Sequence, residues 1–140
     1  MKKERGTATV EFAIAILIVI VVLVATVDVG RLANGFAMVR ALSSEGAHYA
    51  MLHPSADSAS IASYVRDRAA LLDTSAIAVD ASYFDGTTWQ SWQPHALPSP
   101  APASAPVRVT VTYPWRAATS LVGRIVQTSL ASTSVMDALP

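Results

Sequence analysis

The chain has 140 residues, 52% of them hydrophobic and 14% charged, with ten Lys+Arg against ten Asp+Glu. That length allows one domain or a small domain with an appendage, and the low charge argues against a disordered chain. The balanced charge removes the electrostatic case for nucleic-acid binding, and the lack of cysteine excludes disulfides, thiolate metal sites and cysteine nucleophiles.

The hydrophobic excess is concentrated near the start. Phe12 to Val27 (FAIAILIVIVVLVATV) carries no charge and is bounded by Glu11 and Asp28. As a helix it is roughly 24 Å long, short of a bilayer core of about 30 Å. Extension back to Thr7 gives about 31 Å and places Glu11 inside the span. Three readings compete. A signal peptide fits the basic start and the small-residue site at Ala25-Thr-Val27, but not an acid at the entry of the apolar run. A plain membrane anchor leaves Glu11 without a purpose, although an ionisable group at membrane depth usually marks function. The third reading gives that carboxylate a partner.

Arg5-Gly6-Thr7-Ala8-Thr9-Val10-Glu11-Phe12, running directly into the apolar segment, resembles a type IV prepilin processing site. More closely, the stretch is similar to the TadE-like minor pseudopilins of tight-adherence (Flp) pilus systems. The matching stretches are the basic leader, Ala8 to Ala13 (ATVEFA) and the exit Asp28-Val29-Gly30-Arg31. The resemblance covers residues 5–31 and is only general beyond them. The sequence departs from the family in lacking an early proline in the apolar stretch, which leaves a straighter expected helix.

The resemblance implies that a prepilin peptidase cuts between Gly6 and Thr7. Gly6 then lets the backbone enter a tight protease site, and Lys2, Lys3 and Arg5 keep the leader cytoplasmic. Thr7 becomes the new N-terminus and Glu11 the fifth mature residue. In the family this glutamate pairs with the N-terminal amine of a neighbouring subunit, which relieves the penalty of a carboxylate in apolar surroundings. Phe12 and the apolar helix supply packing. Implied partners are the peptidase, other pilins and pseudopilins, the assembly machinery and membrane lipid. The implied location is a bacterial inner membrane, single-pass, with the C-terminal domain outside, and entry into an extracellular pilus is left open. The competing reading of Glu11 is a helix-terminal residue snorkelling to headgroups.

The helical pattern continues beyond Asp28. Leu32, Phe36, Val39, Leu42, Gly46 and Tyr49 form one stripe, with Asn34, Arg40, Ser44 and Glu45 opposite. One helix from Thr7 to Leu52 is expected, about 69 Å long. His53-Pro54 ends it. Gly30, Gly35 and Gly46 fit either close helix approach or local bending. Ser58 to Leu72 reads as a second helix with Ile61, Val65, Ala69 and Leu72 inward. A strand is expected over 77–84, a turn at Asp85-Gly86, and a return strand around Trp89 and Trp92. Residues 94–106 are a proline-rich loop. Val107 to Tyr113 alternates cleanly and should stop at Pro114. Residues 117–126 suggest a short helix or turn packing Leu121 and Val122, and residues 128–138 a last strand.

The expected organisation is a leader over 1–6, a transmembrane helix over 7–27, an amphipathic extension over 28–53 and an extracytoplasmic domain over 54–140. The fold class is α+β, pilin-like, with the long helix packed on a small antiparallel sheet. His48 and His53 lie on different helix faces, and no HExxH, P-loop, GxGxxG or GxSxG motif occurs. No enzyme activity, cofactor or metal is expected. The alternative to a pilus component is an exported binding or adhesin-like domain using tryptophans such as Trp89 and Trp92. A small domain capping its core with amphipathic rings is the favoured explanation of those side chains. The neutral total also has parts: residues 1–6 carry a net +2 and the remainder a net −2.

Overall fold

A computed structural model of the chain describes residues 2–93, 105–118 and 127–137, with side chains described from residue 7 onward. A single helix, α1 (Lys2–Leu52), leads into α2 (Ser58–Arg68), a 3-10 turn (Thr74–Ala76) and four strands. The strands are β1 (Ala78–Phe84), β2 (Trp89–Ser91), β3 (Pro106–Arg116) and β4 (Gln127–Asp137). They form one antiparallel sheet in the order β2-β1-β3-β4. The fold class is therefore α+β, a long apolar helix with a small antiparallel sheet.

The helix ends where proline forbids another turn. His53 donates its N–H to the Tyr49 carbonyl at 3.0 Å, and Pro54 follows. Asp57 caps α2, accepting the Ser60 N–H at 2.7 Å. This second helix is shorter than the apolar spacing predicts. It stops at Ala69, whose ψ of 55° leaves the α region. The Arg66 guanidinium donates to the Ile77 carbonyl at 3.3 and 3.4 Å, which holds the chain reversal that starts β1 beneath the helix. Residues 69–72 thus serve the turn, although Ala69 is still buried.

Strand β3 also departs from expectation, because it passes through Pro114 to Arg116. Its pairing with β1 begins at Ala78↔Thr112, whereas its pairing with β4 extends through Trp115↔Thr128 and Arg116↔Gln127. Past Thr112 the strand has a neighbour on one side only, and a proline is tolerated on such an edge. Pro106 opens the strand, another permitted position. Apart from Ala105 and Pro106, the proline-rich stretch lies outside the described residues. So does most of the segment expected to pack Leu121 and Val122.

The core lies between the upper half of α1, α2 and one face of the sheet. Val39, Leu42, Ala47 and Ala50 of α1 meet Ile61 and Val65 of α2 and Val107, Val109 and Val111 of β3. Full burial of each large aliphatic is worth about 1.5–3 kcal/mol. Gly46 sits where the three elements converge. A Cβ there would come within 2.8 Å of Val65 Cγ2 and 3.1 Å of Val109 Cγ1. Gly35 has the same role lower down, 3.1 Å from Leu130 Cδ1 by the same construction. Both glycines permit close approach within the chain's own fold. Gly30 differs, since nothing lies within 4 Å of its Cβ position. Ser43 is the buried polar group on this face of α1, and its hydroxyl reaches the Arg40 carbonyl at 2.9 Å and Ser132 Oγ at 3.1 Å. Phe36, expected on the inward stripe, is 49% exposed. The helix turns Gly35 and Val39 to the sheet and leaves Phe36 on the flank.

Candidate assembly segment and membrane exit

The lower half of α1 is apolar all round and uncovered. From Thr7 to Val27 every side chain is exposed except the half-buried Val24. A soluble helix of this kind would leave its whole circumference in water. Among the described residues, one helix is long and apolar enough to cross a membrane, by length and composition. Thr26 Oγ1 donates to the Val22 carbonyl at 2.8 Å, so this hydroxyl is satisfied within the helix. The segment is compatible with single-pass anchoring.

Glu11 is exposed on this helix, and Phe12 is 68% exposed. Thr7 and Glu11 are four residues apart in continuous helix, which sets them on one face about 6 Å apart along the axis. Lys2, Lys3, Arg5 and Gly6 belong to the first turns of the same helix. Backbone geometry thus sets Thr7 and Glu11 one helical turn apart.

At the other end of the apolar segment the structure shows a junction. Asp28 is buried, at 6% exposure, although it directly follows the uncovered run. Its Oδ1 accepts the Ala118 N–H at 3.0 Å and lies 3.5 Å from Arg31 Nη1. Ala118 stands two residues beyond the end of β3. The carboxylate therefore fastens the far end of the sheet to the point where the helix leaves its apolar stretch. The acid-x-Gly-Arg exit was legible as a motif, but this tether was not. The available signal was an acid immediately after an uncharged run, which needs a partner once covered.

The tryptophans divide. Trp92 and Trp115 are buried, and Trp92 Nε1 donates to the Ala56 carbonyl at 2.8 Å. Trp89 is half-buried on the outer face of the sheet, with Phe84 at 5.4 Å and the Arg108 guanidinium over its ring at 4.3 Å. Two of the three rings thus belong to the core. His53 stacks on Tyr49 at 4.3 Å, His48 is exposed, and His95 lies outside the described residues. Among the described residues no group of three or more His, Cys, Asp or Glu side chains gathers.

The family model for TadE-like proteins matches residues 6–48. The match starts at Gly6, takes in Glu11 and the apolar run, and ends on the part of α1 that packs against the sheet. No curated protein and no solved structure matches the chain.

Proposed function

We propose, from the TadE-like character of residues 6–48, that the chain is a minor pseudopilin of a tight-adherence (Flp) pilus system. It takes part in assembling or priming the pilus after a prepilin peptidase cuts between Gly6 and Thr7. The observation that carries this reading is the family match together with the uncovered apolar helix it spans. Such a helix needs lipid before assembly, and lipid or neighbouring subunits afterwards.

The roles follow from the chemistry. Lys2, Lys3 and Arg5 hold the leader in the cytoplasm, which directs the sheet domain outward. Gly6 lowers the local helix stability by about 1 kcal/mol relative to alanine and eases opening of the backbone for cleavage. Removal of residues 1–6 frees a positive amine at Thr7. Glu11 pairs with that amine on a neighbouring subunit, because an isolated carboxylate at membrane depth is costly and a paired one much less so. Phe12, exposed beside it, packs against the same neighbour. Correct axial register is the arrangement in which these groups meet.

The mature N-terminus, read by mass spectrometry of the membrane-extracted protein, tests the reading. A chain starting at Thr7 is expected, and an intact Met1 or a start after Val27 would falsify it. Glu11→Ala separates the two steps: it should be cleaved normally but fail to support piliation. Normal piliation by that variant would remove the register mechanism and leave the processing proposal standing.

A further inference from the structure

The underside of the sheet domain carries a cavity of about 420 Å³ lined by Arg31, Asp73, Tyr113, Trp115 and Arg116, among others. An adjoining hollow shares Arg31, Tyr113 and Trp115 and adds Leu71, which is 71% exposed. Arg31 and Tyr113 are common to both hollows, with Arg116 at the first and the uncovered Leu71 at the second. Arg31 lies four residues beyond Val27, or about 6 Å along α1. When residues 7–27 span the hydrocarbon core, the headgroup layer extends about 5–8 Å beyond it. The Asp28–Ala118 hydrogen bond holds the end of β3 at that same level.

We infer that this underside rests on the outer surface of the bilayer and holds one phospholipid headgroup, its phosphate between Arg31 and Arg116 and Leu71 directed to the acyl boundary. The inference rests on the membrane-anchored reading of α1. Guanidinium N–H groups match phosphate oxygens in pairs, and their charge is least screened at the edge of hydrocarbon. Half of the Arg31 side chain, 52%, is exposed despite its contact with Asp28, and Arg116 is exposed at the end of β3. The cavity also holds the Asp73 carboxylate, whose Oδ1 accepts the Ser75 N–H at 3.0 Å and its hydroxyl at 2.6 Å; it keeps its charge, and the two guanidiniums outnumber it along the lining. Tyr113 supplies an amphipathic ring of the kind enriched at membrane interfaces. A seated headgroup fixes the height and tilt of the domain on the membrane before subunits meet.

The test uses the full chain expressed in membranes containing phosphatidylglycerol and phosphatidylethanolamine. It is purified in mild detergent, and bound phospholipid is counted by native mass spectrometry. One retained phospholipid per chain is expected, surviving an excess of inorganic phosphate. Retention should fall about fivefold in Arg116→Gln and roughly thirtyfold in Arg31→Gln/Arg116→Gln. Arg40→Gln, whose side chain is exposed about 20 Å above Val27, should retain lipid like the unsubstituted chain. Unchanged retention in Arg116→Gln, an equal fall in Arg40→Gln, or displacement by inorganic phosphate would each overturn the inference. Release of the chain from membranes by alkaline carbonate would overturn the anchored reading and this inference together. An anchored chain without lipid would overturn this inference alone.

Discussion

Asp28 and Ala118 are 90 positions apart in sequence, yet the carboxylate oxygen of one accepts the backbone N–H of the other at 3.0 Å. The acid is buried at the boundary between the uncovered apolar helix and the packed domain. Hydrogen bonds to charged groups contribute about 1.5–3 kcal/mol. Asp28→Ala should therefore destabilise the sheet domain by about 2 kcal/mol and speed proteolytic cleavage after β3. Asp28→Asn keeps an acceptor and should lose less. Thermal melts and limited proteolysis in detergent check this. Equal stability of Asp28→Ala and the unsubstituted chain would show that the bond holds nothing.

The glycines of α1 should behave oppositely on substitution. Gly46→Ala drives a methyl against Val65 and Val109, so overpacking of about 1–3 kcal/mol outweighs the helix-propensity gain. Gly30→Ala meets nothing within 4 Å and should stabilise the isolated chain by up to about 1 kcal/mol. Denaturant titration of both variants measures the two signs. A piliation assay on Gly30→Ala adds a second reading. Lost assembly in a stabilised chain would mean that a neighbouring subunit needs the space.

These contrasts show what sequence carries and what it leaves out. The apolar run and the stripe through Val39, Leu42 and Gly46 repeat at helical spacing, so α1 was readable before any contact was known. Alternation from Val107 to Val111 identified β3 in the same way. Pro114 does not end β3, because one strand's sequence does not say where its neighbours end, and the proline matters only if the edge beside it is paired. Ala69 to Leu72 continued an apolar spacing, yet the carbonyl of Ile77 bonded to Arg66 decides where the helix stops. The Asp28 tether was invisible for a similar reason, since its partner is a backbone N–H of a distant alanine with no side-chain signature.

Trp92 joins three elements. Its indole N–H reaches the Ala56 carbonyl at 2.8 Å, its backbone N–H reaches Ala81 at 3.0 Å, and its carbonyl accepts the Ser58 hydroxyl at 3.0 Å. Trp92→Phe loses the indole bond and should cost about 1–2 kcal/mol. Trp92→Ala also leaves a cavity and should cost about 3–5 kcal/mol. Chemical denaturation followed by far-UV circular dichroism distinguishes them. If either variant lost binding to surfaces while keeping full stability, Trp92 would belong to an adhesive site rather than to the core.

Acid should weaken the sheet domain through three exposed aspartates. The Ser60 hydroxyl and backbone N–H hold Asp57 below its ordinary value of 3.8. The same two groups of Ser75 do so for Asp73. Asp85 is lowered furthest, by the backbone N–H groups of Thr88 and Thr87, then by the side chains of Gln90 and Thr87. A carboxylate whose pKa is depressed on folding adds stability above its unfolded pKa, and that stability is lost as pH falls through the folded value. The domain should therefore hold a constant melting temperature down to about pH 4 and lose it progressively below. Asp85 sets the β1–β2 turn, where Gly86 takes a φ of +99° and Asp85 Oδ1 accepts the Thr87 and Thr88 N–H groups at 2.8 Å. Asp85→Asn keeps an oxygen acceptor but cannot titrate, so its melting temperature should fall less steeply below pH 4 than that of the unsubstituted chain. Parallel acid limbs for the two proteins would show that the Asp85 charge does not stabilise the turn.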